Sequence, residues 1–566
     1  MINFEPRAVD EGKKVKVIVV GAGVGGILCG IRLPQHLPSV ELVIYEKNKD
    51  IGGTWYENRY PGVACDIPSH SYQATFEPNP DWSTFYASGN EILKYWHGVA
   101  EKYGVRKYVV PDSKVEKATW NEQSVKWTVE VSQVRNTVTN EVFTDAGDYL
   151  ICAYGLLNDW QWPKIKGLHE FKGKLLHTAA WDDSYDYSDK KVAVVGNGSS
   201  GIQVLPAILP KVQRIDHYVR GKTWIAPGFL SEEFTKDDIT STQLQFPAEL
   251  REKFRNDKDF YLNYRKGIET KLCSIHGFVY PGTTLYNLLR NGVAKHMDSR
   301  LGSHQKMMDV LRPSFSPGCR RLTPGPGYLE AIVDPKVNYI TDPISEITPT
   351  GVVTNDGVHR EVDAIFCATG FNTSCTGRFP VYGRNGVTID ERWSKYPETY
   401  LGLCTNGFPN LFLILGPNTG PSTGSLLLVV EKQVEYIVAM LQKAQRDAIV
   451  VIEPKKISVE NFSEYCHQYF PKTIFMEDCR AWYKSEAAGN RVTALWPGST
   501  LHQAKVLKNP RWEDFQFEHL SNNPVAWLGD GWTVDERFEG GNRSWHLDPE
   551  NIDFPPQGGN IRVNGF

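Results

Sequence analysis

The sequence predicts an α/β protein with two Rossmann-like dinucleotide-binding domains and a helical insertion in the second. Three observations carry this expectation. A glycine turn, Gly21-Ala-Gly23-Val-Gly25-Gly26, follows a β-branched run at 15–20, and Gly196-Asn-Gly198-Ser199-Ser200-Gly201 follows another at 191–195. Each turn opens an apolar stretch compatible with a helix. Apolar strand-like runs at 149–155 and 362–370 read as crossings of the chain between the two units.

A chain of 566 residues exceeds one simple core, so two or three domains are expected. The motifs divide it into a discontinuous first domain (1–155 and 365–566), a second domain (156–230 and 312–364) and the insertion (231–311). Its 62 basic and 66 acidic residues give a net charge of −4, which offers no nucleic-acid footprint and favours a small-molecule enzyme. The ten cysteines are scattered without CxxC pairs, so a reduced, cytoplasmic chain is expected. Glycines break the apolar run from Val15 to Ile31, which reads as strand, turn and helix, with no signal peptide and no membrane span. Fourteen histidines without paired ligand spacing argue against zinc.

At the first turn, Gly21, Gly23 and Gly26 allow a tight bend and close approach of a pyrophosphate to the helix start. The next strand, 40–45, ends in Glu46, whose carboxylate suits an adenosine ribose. The loop that follows, from Ile51 through Gly53-Thr54-Trp55 and Tyr60-Pro61-Gly62 to Asp66, points to a flavin at this site. Trp55, Tyr60 and Tyr72 are candidates to face its planar ring, with Asp66 close by; core packing stays open for any one of them.

Two complete turns imply two dinucleotides. The strand at 214–219 ends in Arg220, with Lys222 two residues on, and cations there suit a 2′-phosphate, hence NADPH; a solvated charge pair is the alternative. Charged helical segments such as 247–265 form the insertion, expected to shape a substrate entrance. Arg320 and Arg321 sit in a Pro/Gly loop; surface solvation is the usual fate of such a pair, and a constrained loop can also aim guanidinium groups at phosphate or at a developing anion. A strand at 409–415 and a glycine loop at 416–424 lead to a helix expected from Ser425 to about Gln442. Its first N–H groups, Leu426 included, suit the flavin edge that becomes anionic on reduction. Beyond it the densest groups are Cys479-Arg-Ala-Trp482-Tyr-Lys484 and Trp496-Pro-Gly-Ser.

One stretch, 171–182, fits neither helical nor strand period. Its pattern Phe171-x-Gly173-xxx-His177-xxx-Trp181-Asp182, just ahead of the second glycine turn, resembles the fingerprint of type I Baeyer-Villiger monooxygenases, a class of FAD- and NADPH-dependent flavoproteins. Gly53-Thr-Trp55 through Tyr60-Pro61-Gly62 to Asp66 resembles the family's second fingerprint. With the two turns, the resemblance covers residues 15 to about 430, and the C-terminal groups look most like a fungal branch.

The resemblance implies conversion of ketones to esters or lactones with NADPH and O2, through a C4a-peroxyflavin and a Criegee-type intermediate. It implies that Arg321 stabilises the peroxide anion and then the tetrahedral oxyanion, that Asp66 holds and tunes Arg321, and that His177 is a hinge residue. It adds Val115 to the FAD contacts, Ser199, Ser200 and Gln203 to the NADPH contacts, and Trp482 as a cofactor-touching tryptophan. Gly221 stands where the family often has a hydroxyl residue, which shifts the 2′-phosphate contact towards Lys222 or Arg320. The expected partners are a small ketone and O2, with no nucleic acid, in a monomer. The alternatives are N- or S-oxygenation and a flavoprotein that only senses or shuttles electrons; a disulfide reductase lacks its CxxxxC pair here.

Overall fold

The computed structural model describes residues 6–135, 139–228, 244–376, 378–485, 488–523 and 525–552; residues 231–243 of the expected insertion and 553–566 of the expected first domain lie outside them. Two parallel five-stranded sheets organise the chain. The first runs Leu411–Leu413, Tyr149–Cys152, Val15–Val20, Val40–Tyr45, Val109–Val110. Val15–Val20 is central because its side chains, Lys16 at the start excepted, are apolar and buried on both faces, as a strand covered on both sides requires. The next strand pairs on one side of it and Tyr149–Cys152 on the other, so the chain reverses direction across the sheet at the C-terminal end of Val15–Val20, the crevice where such sheets take ligands.

The second sheet repeats the plan: Val337–Ile340, Arg214–Tyr218, Lys191–Val195, Ala364–Cys367, Lys174–His177. Lys191–Val195 lies between Arg214–Tyr218 and Ala364–Cys367, and Gly196 stands at its switch point. Two details differ from the sequence reading. The stretch 171–182 contains an edge strand, Lys174–His177, which pairs with Ala364–Cys367. Four residues carry no period of their own; only the partner strand defines them. The expected boundary at 364/365 also cuts that partner, and the chain leaves the second sheet after Cys367.

The insertion is helical, with helices Ala248–Asn256, Lys258–Ser274, Thr284–Leu301 and Gln305–Leu311. The single helix expected at 247–265 breaks at Asp257, whose carboxylate accepts the Phe260 N–H and starts a new helix. Ile268, Leu272, Phe278 and Val279 pack into the core of the first sheet, whereas Val293, Met297 and Leu301 pack into that of the second. The insertion therefore bridges the two units. Helix Leu426–Arg446 lies against Val24–His36, and strand Ile449–Pro454 pairs antiparallel with Phe515–His519. Among the described residues no helix is long and apolar enough to cross a membrane.

Candidate active site

The two glycine turns have the same construction. Gly21 and Gly196 take φ of +100° and +110°, open to glycine and strained for other residues. A Cβ on Gly26 would lie 2.0 Å from the Gly21 carbonyl oxygen, and one on Gly201 would lie 2.1 Å from that of Gly196. Backbone contact thus fixes both final glycines. Gly23 and Gly198 are the N-cap residues of Val24–His36 and Ser199–Ile208, and neither helix has a side-chain cap. Their first N–H groups are left for a ligand, and a Cβ on Gly198 would face open space. Both turns therefore fit a pyrophosphate on geometry alone.

Around the first turn, Glu46 accepts the Ala22 N–H at 2.6 Å and the Asn48 N–H at 2.9 Å, so it braces the loop at the position where a ribose is expected. Burial pushes its carboxyl group above the usual range, against those two hydrogen bonds. Val115 is buried with Tyr45 in the core below this end of the sheet. Gly53 meets Gly23 backbone to backbone, since a Cβ on Gly53 would lie 2.8 Å from the Gly23 Cα. Thr54 opens the short helix Thr54–Glu57 and is exposed. Trp55 meets Tyr72 edge-on and donates its Nε1–H to the phenol oxygen at 3.2 Å. Leu426 is the first residue of Leu426–Arg446; the capping Ser425 donates to the Ser71 carbonyl and accepts the Leu427 N–H.

Tyr60 does not join Trp55 and Tyr72. It is buried in the core of the second sheet, and its hydroxyl donates to Gln203 Oε1 at 2.7 Å. Gln203 in turn donates Nε2–H to the Ala64 carbonyl. Gly62 completes the contact: at φ +83°, its Cβ would lie 2.5 Å from the Gln203 carbonyl oxygen. The loop read as a flavin wall also clamps the second nucleotide helix. Ser200 lies against the Tyr60 hydroxyl, and Ser199 bonds Thr323 at 2.7 Å. Lys222 gives its ammonium to the Asp309 carbonyl. Arg320 donates to the Lys222 carbonyl, and both its burial and the neighbouring Arg220 guanidinium lower its pKa. Arg320 forms no salt bridge among the described residues, so the Arg220–Arg320 pair is the concentrated positive charge at this end of the strand.

Arg321 and Asp66, distant in sequence, form a bidentate pair. Nε donates to Oδ2 at 2.8 Å and Nη2 to Oδ1 at 2.9 Å. The carboxylate raises the arginine's pKa further, against burial, so its charge is permanent. The Arg321 side chain keeps 35% of its exposure and Asp66 25%, so the pair is sheltered but reachable.

Sequence reading missed what holds this arginine's turn. Cys319 and Cys479 form a disulfide, which corrects the expectation of a fully reduced chain; 160 residues separate them, and no local spacing signals the pairing. The other eight cysteines are free. Tyr483 donates its hydroxyl towards the carbonyls of Gly318 and Cys319, while Glu477 accepts both the N–H and the hydroxyl of Ser316. Trp482 is half-buried against Tyr483.

His177 is fully buried and stacked on Trp160 at 4.6 Å. The Ala179 N–H donates to its Nδ1, so Nε2 carries the proton and donates to Thr369. Burial lowers its pKa to about 4, which keeps it neutral near pH 7. The fingerprint glycine, Gly173, is fixed by packing: its Cβ would lie 2.4 Å from the Asp363 carbonyl oxygen.

Residues 19–88 match the family model of an NAD(P)-binding Rossmann-like domain. The chain is 38% identical to the FAD-binding monooxygenase tazF of Aspergillus terreus, over 94% of this chain and 95% of that one. It is 32% identical to a Baeyer-Villiger monooxygenase of Pseudomonas aeruginosa, covering 91% and 93%. The fold superposes on cyclohexanone monooxygenase from Rhodococcus sp. Phi1 bound to NADP+ with a TM-score of 0.75, at 26% identity, over 90% of this chain and 100% of that one.

Proposed function

The chain belongs to the Baeyer-Villiger family of FAD-binding monooxygenases, and from that premise we propose that Arg321, held by Asp66, is its catalytic residue. The enzyme converts ketones to esters or lactones with NADPH and one atom of O2. Bound FAD, reduced by NADPH, supplies the activation of O2. Arg321 commits two of its five N–H donors to Asp66 and keeps three for substrate. Those three stabilise the negative charge that develops on the ketone oxygen, and Asp66 fixes the plane in which they point. The bidentate pair is the observation that carries this reading.

The first turn, with Gly21, Gly23, Gly26, Glu46, Gly53, Thr54, Trp55, Tyr72, Val115 and Leu426, is the proposed FAD site. The second, with Gly196, Gly198, Ser199, Ser200 and Gly201, is the proposed NADPH site. Arg220 and Arg320 are its 2′-phosphate contacts; Gln203 and Lys222 act through the loops they tie down. Trp482 is assigned to the cofactor side of the Arg321 turn. One chain carries both turns and Arg321, which supports a monomeric enzyme. The dependence on NADPH and the eight free cysteines support a cytoplasmic setting.

The test is Arg321→Ala in the FAD-loaded enzyme. Ester formation is expected to fall by about a hundredfold or more, the order of about 3 kcal/mol, with FAD still bound. Ester formation near the wild-type rate would overturn the role. Product analysis of wild type with NADPH, O2 and a panel of ketones and sulfides fixes the reaction class, and sulfoxide without any ester would contradict it.

A further inference from the structure

The turn at 316–321 is tied to the segment 477–484 by hydrogen bonds and by one covalent bond. Glu477 holds the N–H and hydroxyl of Ser316, each at 2.6 Å, and Tyr483 holds the Gly318 carbonyl at 2.8 Å. The Cys319–Cys479 bond fastens the same two segments, and Cys319 is two residues from Arg321. Of these ties only the disulfide can be opened and closed by a reagent. Lys484 stands beside it: its ammonium lies 3.6 Å from Cys479 Sγ and 4.0 Å from Cys319 Sγ, while donating to the carbonyls of Glu477 and Cys479. A cation against both sulfurs favours the thiolates that appear when the bond breaks.

We propose that Cys319–Cys479 is a reversible thiol–disulfide site, served by Lys484, whose oxidation state sets how well Arg321 is held and therefore how much ester is formed per NADPH. This rests on the reading of Arg321 as the catalytic residue. A dithiol reductant attacks the Sγ of Cys479, the less deeply buried of the two residues. The S–S bond breaks and its electron pair leaves on Cys319 Sγ, 4.0 Å from the Lys484 ammonium. The second thiol of the reagent then displaces Cys479, and the reagent departs as its own disulfide. The protein gains two electrons and two protons. Hydrogen peroxide reverses the change, taking the two electrons and two protons to form two waters. With the bond open, the turn keeps its hydrogen bonds and loses its covalent anchor. A displacement near 1 Å at a catalytic group costs on the order of a hundredfold in rate, and a turn still held by its hydrogen bonds moves less, so a loss of about tenfold is expected.

The experiment uses the FAD-loaded enzyme with and without dithiothreitol. Iodoacetamide labelling mapped by mass spectrometry is expected to leave Cys319 and Cys479 unmodified until reduction and to label both afterwards. Ester formed per NADPH is expected to fall about tenfold on reduction and to recover after brief peroxide treatment. Cys319→Ser and Cys479→Ser are expected to match the reduced enzyme and to ignore dithiothreitol. Lys484→Met is expected to slow reduction about tenfold. Labelling of both cysteines without reductant, an unchanged ester-to-NADPH ratio in reduced wild type, or Lys484→Met reducing as fast as wild type would each overturn the proposal. Should the serine variants fail to fold, the wild-type titration decides alone. Arg321→Ala separates the two readings: if it retains ester formation, the catalytic reading fails, whereas a redox-insensitive wild type beside an inactive Arg321→Ala removes only the redox site.

Discussion

Arg321 and Asp66 lie 255 positions apart, on loops of different units, and meet through two charge-assisted hydrogen bonds. Asp66→Ala leaves a sheltered guanidinium without its partner and free to turn. Ester formation is expected to drop about 10- to 100-fold while the FAD spectrum persists, as rate assays beside absorbance would read; a rate within twofold of wild type would remove Asp66 from the mechanism. Arg321→Lys keeps the charge but replaces a planar fork with a point charge, which cannot span both carboxylate oxygens. It should therefore resemble Arg321→Ala more than wild type. The Pro/Gly loop made Arg320 and Arg321 joint candidates and the Gly/aromatic loop did the same for Asp66, but only the family resemblance singled out Arg321 and joined it to Asp66. The residues that hold them were not legible in the sequence. Tyr60 looked like a ring for the flavin, but its partner Gln203 lies 143 positions away, and Cys319 gave no sign of pairing with Cys479.

At the scale of elements, the two strand–turn–helix units were readable because their glycine requirement is local. The carbonyl of the first glycine excludes a Cβ on the last in both turns. Gly198 differs, since the space beside it is open. The two glycines of one turn thus separate folding from binding. Gly201→Ala is expected to destabilise the protein by about 1–3 kcal/mol through overpacking, read by thermal unfolding. Gly198→Ala should change stability by no more than about 1 kcal/mol, the scale of an N-cap substitution. Its methyl fills the space where the pyrophosphate is proposed, so the KM for NADPH should rise about tenfold or more. Equal effects of both substitutions on stability would mean that the space beside Gly198 is closed, and an unchanged KM for NADPH in Gly198→Ala would mean that it has no ligand role. Elements defined by distant partners were not legible: the edge strand Lys174–His177 exists through Ala364–Cys367, and the break at Asp257 depends on a cap within a charged run that looks continuous.

Across the whole molecule, the insertion packs into both cores, and of three buried histidines two mark junctions while the third lies inside the second core. His70 lies among Phe246, Phe254 and Tyr264, with Tyr261 on its Nδ1, where the first domain meets the insertion. His177 sits at the crossing between the sheets, and His217 donates to the Val194 carbonyl within the second sheet. Burial lowers their pKa values to about 3, about 4 and about 4 respectively. All three folded values lie below the unfolded value near 6.5, so their contribution is complete above pH 6.5. It is lost as pH falls towards 4, because the unfolded chain then binds protons that the folded chain refuses. Each histidine loses about 2 kcal/mol of stabilisation between pH 7 and pH 5 on that basis. Buried Glu46 and Glu431 and half-buried Glu269 oppose them, because desolvation raises their pKa values and the folded state takes up their protons first as pH falls. Glu269 accepts the Ser71 hydroxyl at 2.5 Å from the insertion, a bond that Gln can also accept. The unfolding temperature is therefore expected to fall between pH 7 and pH 5 in wild type and to fall more steeply in Glu269→Gln, which lacks one of the opposing groups. A flat profile over that range in both proteins would mean that the three imidazoles take up protons in place, and that water reaches them before the chain unfolds.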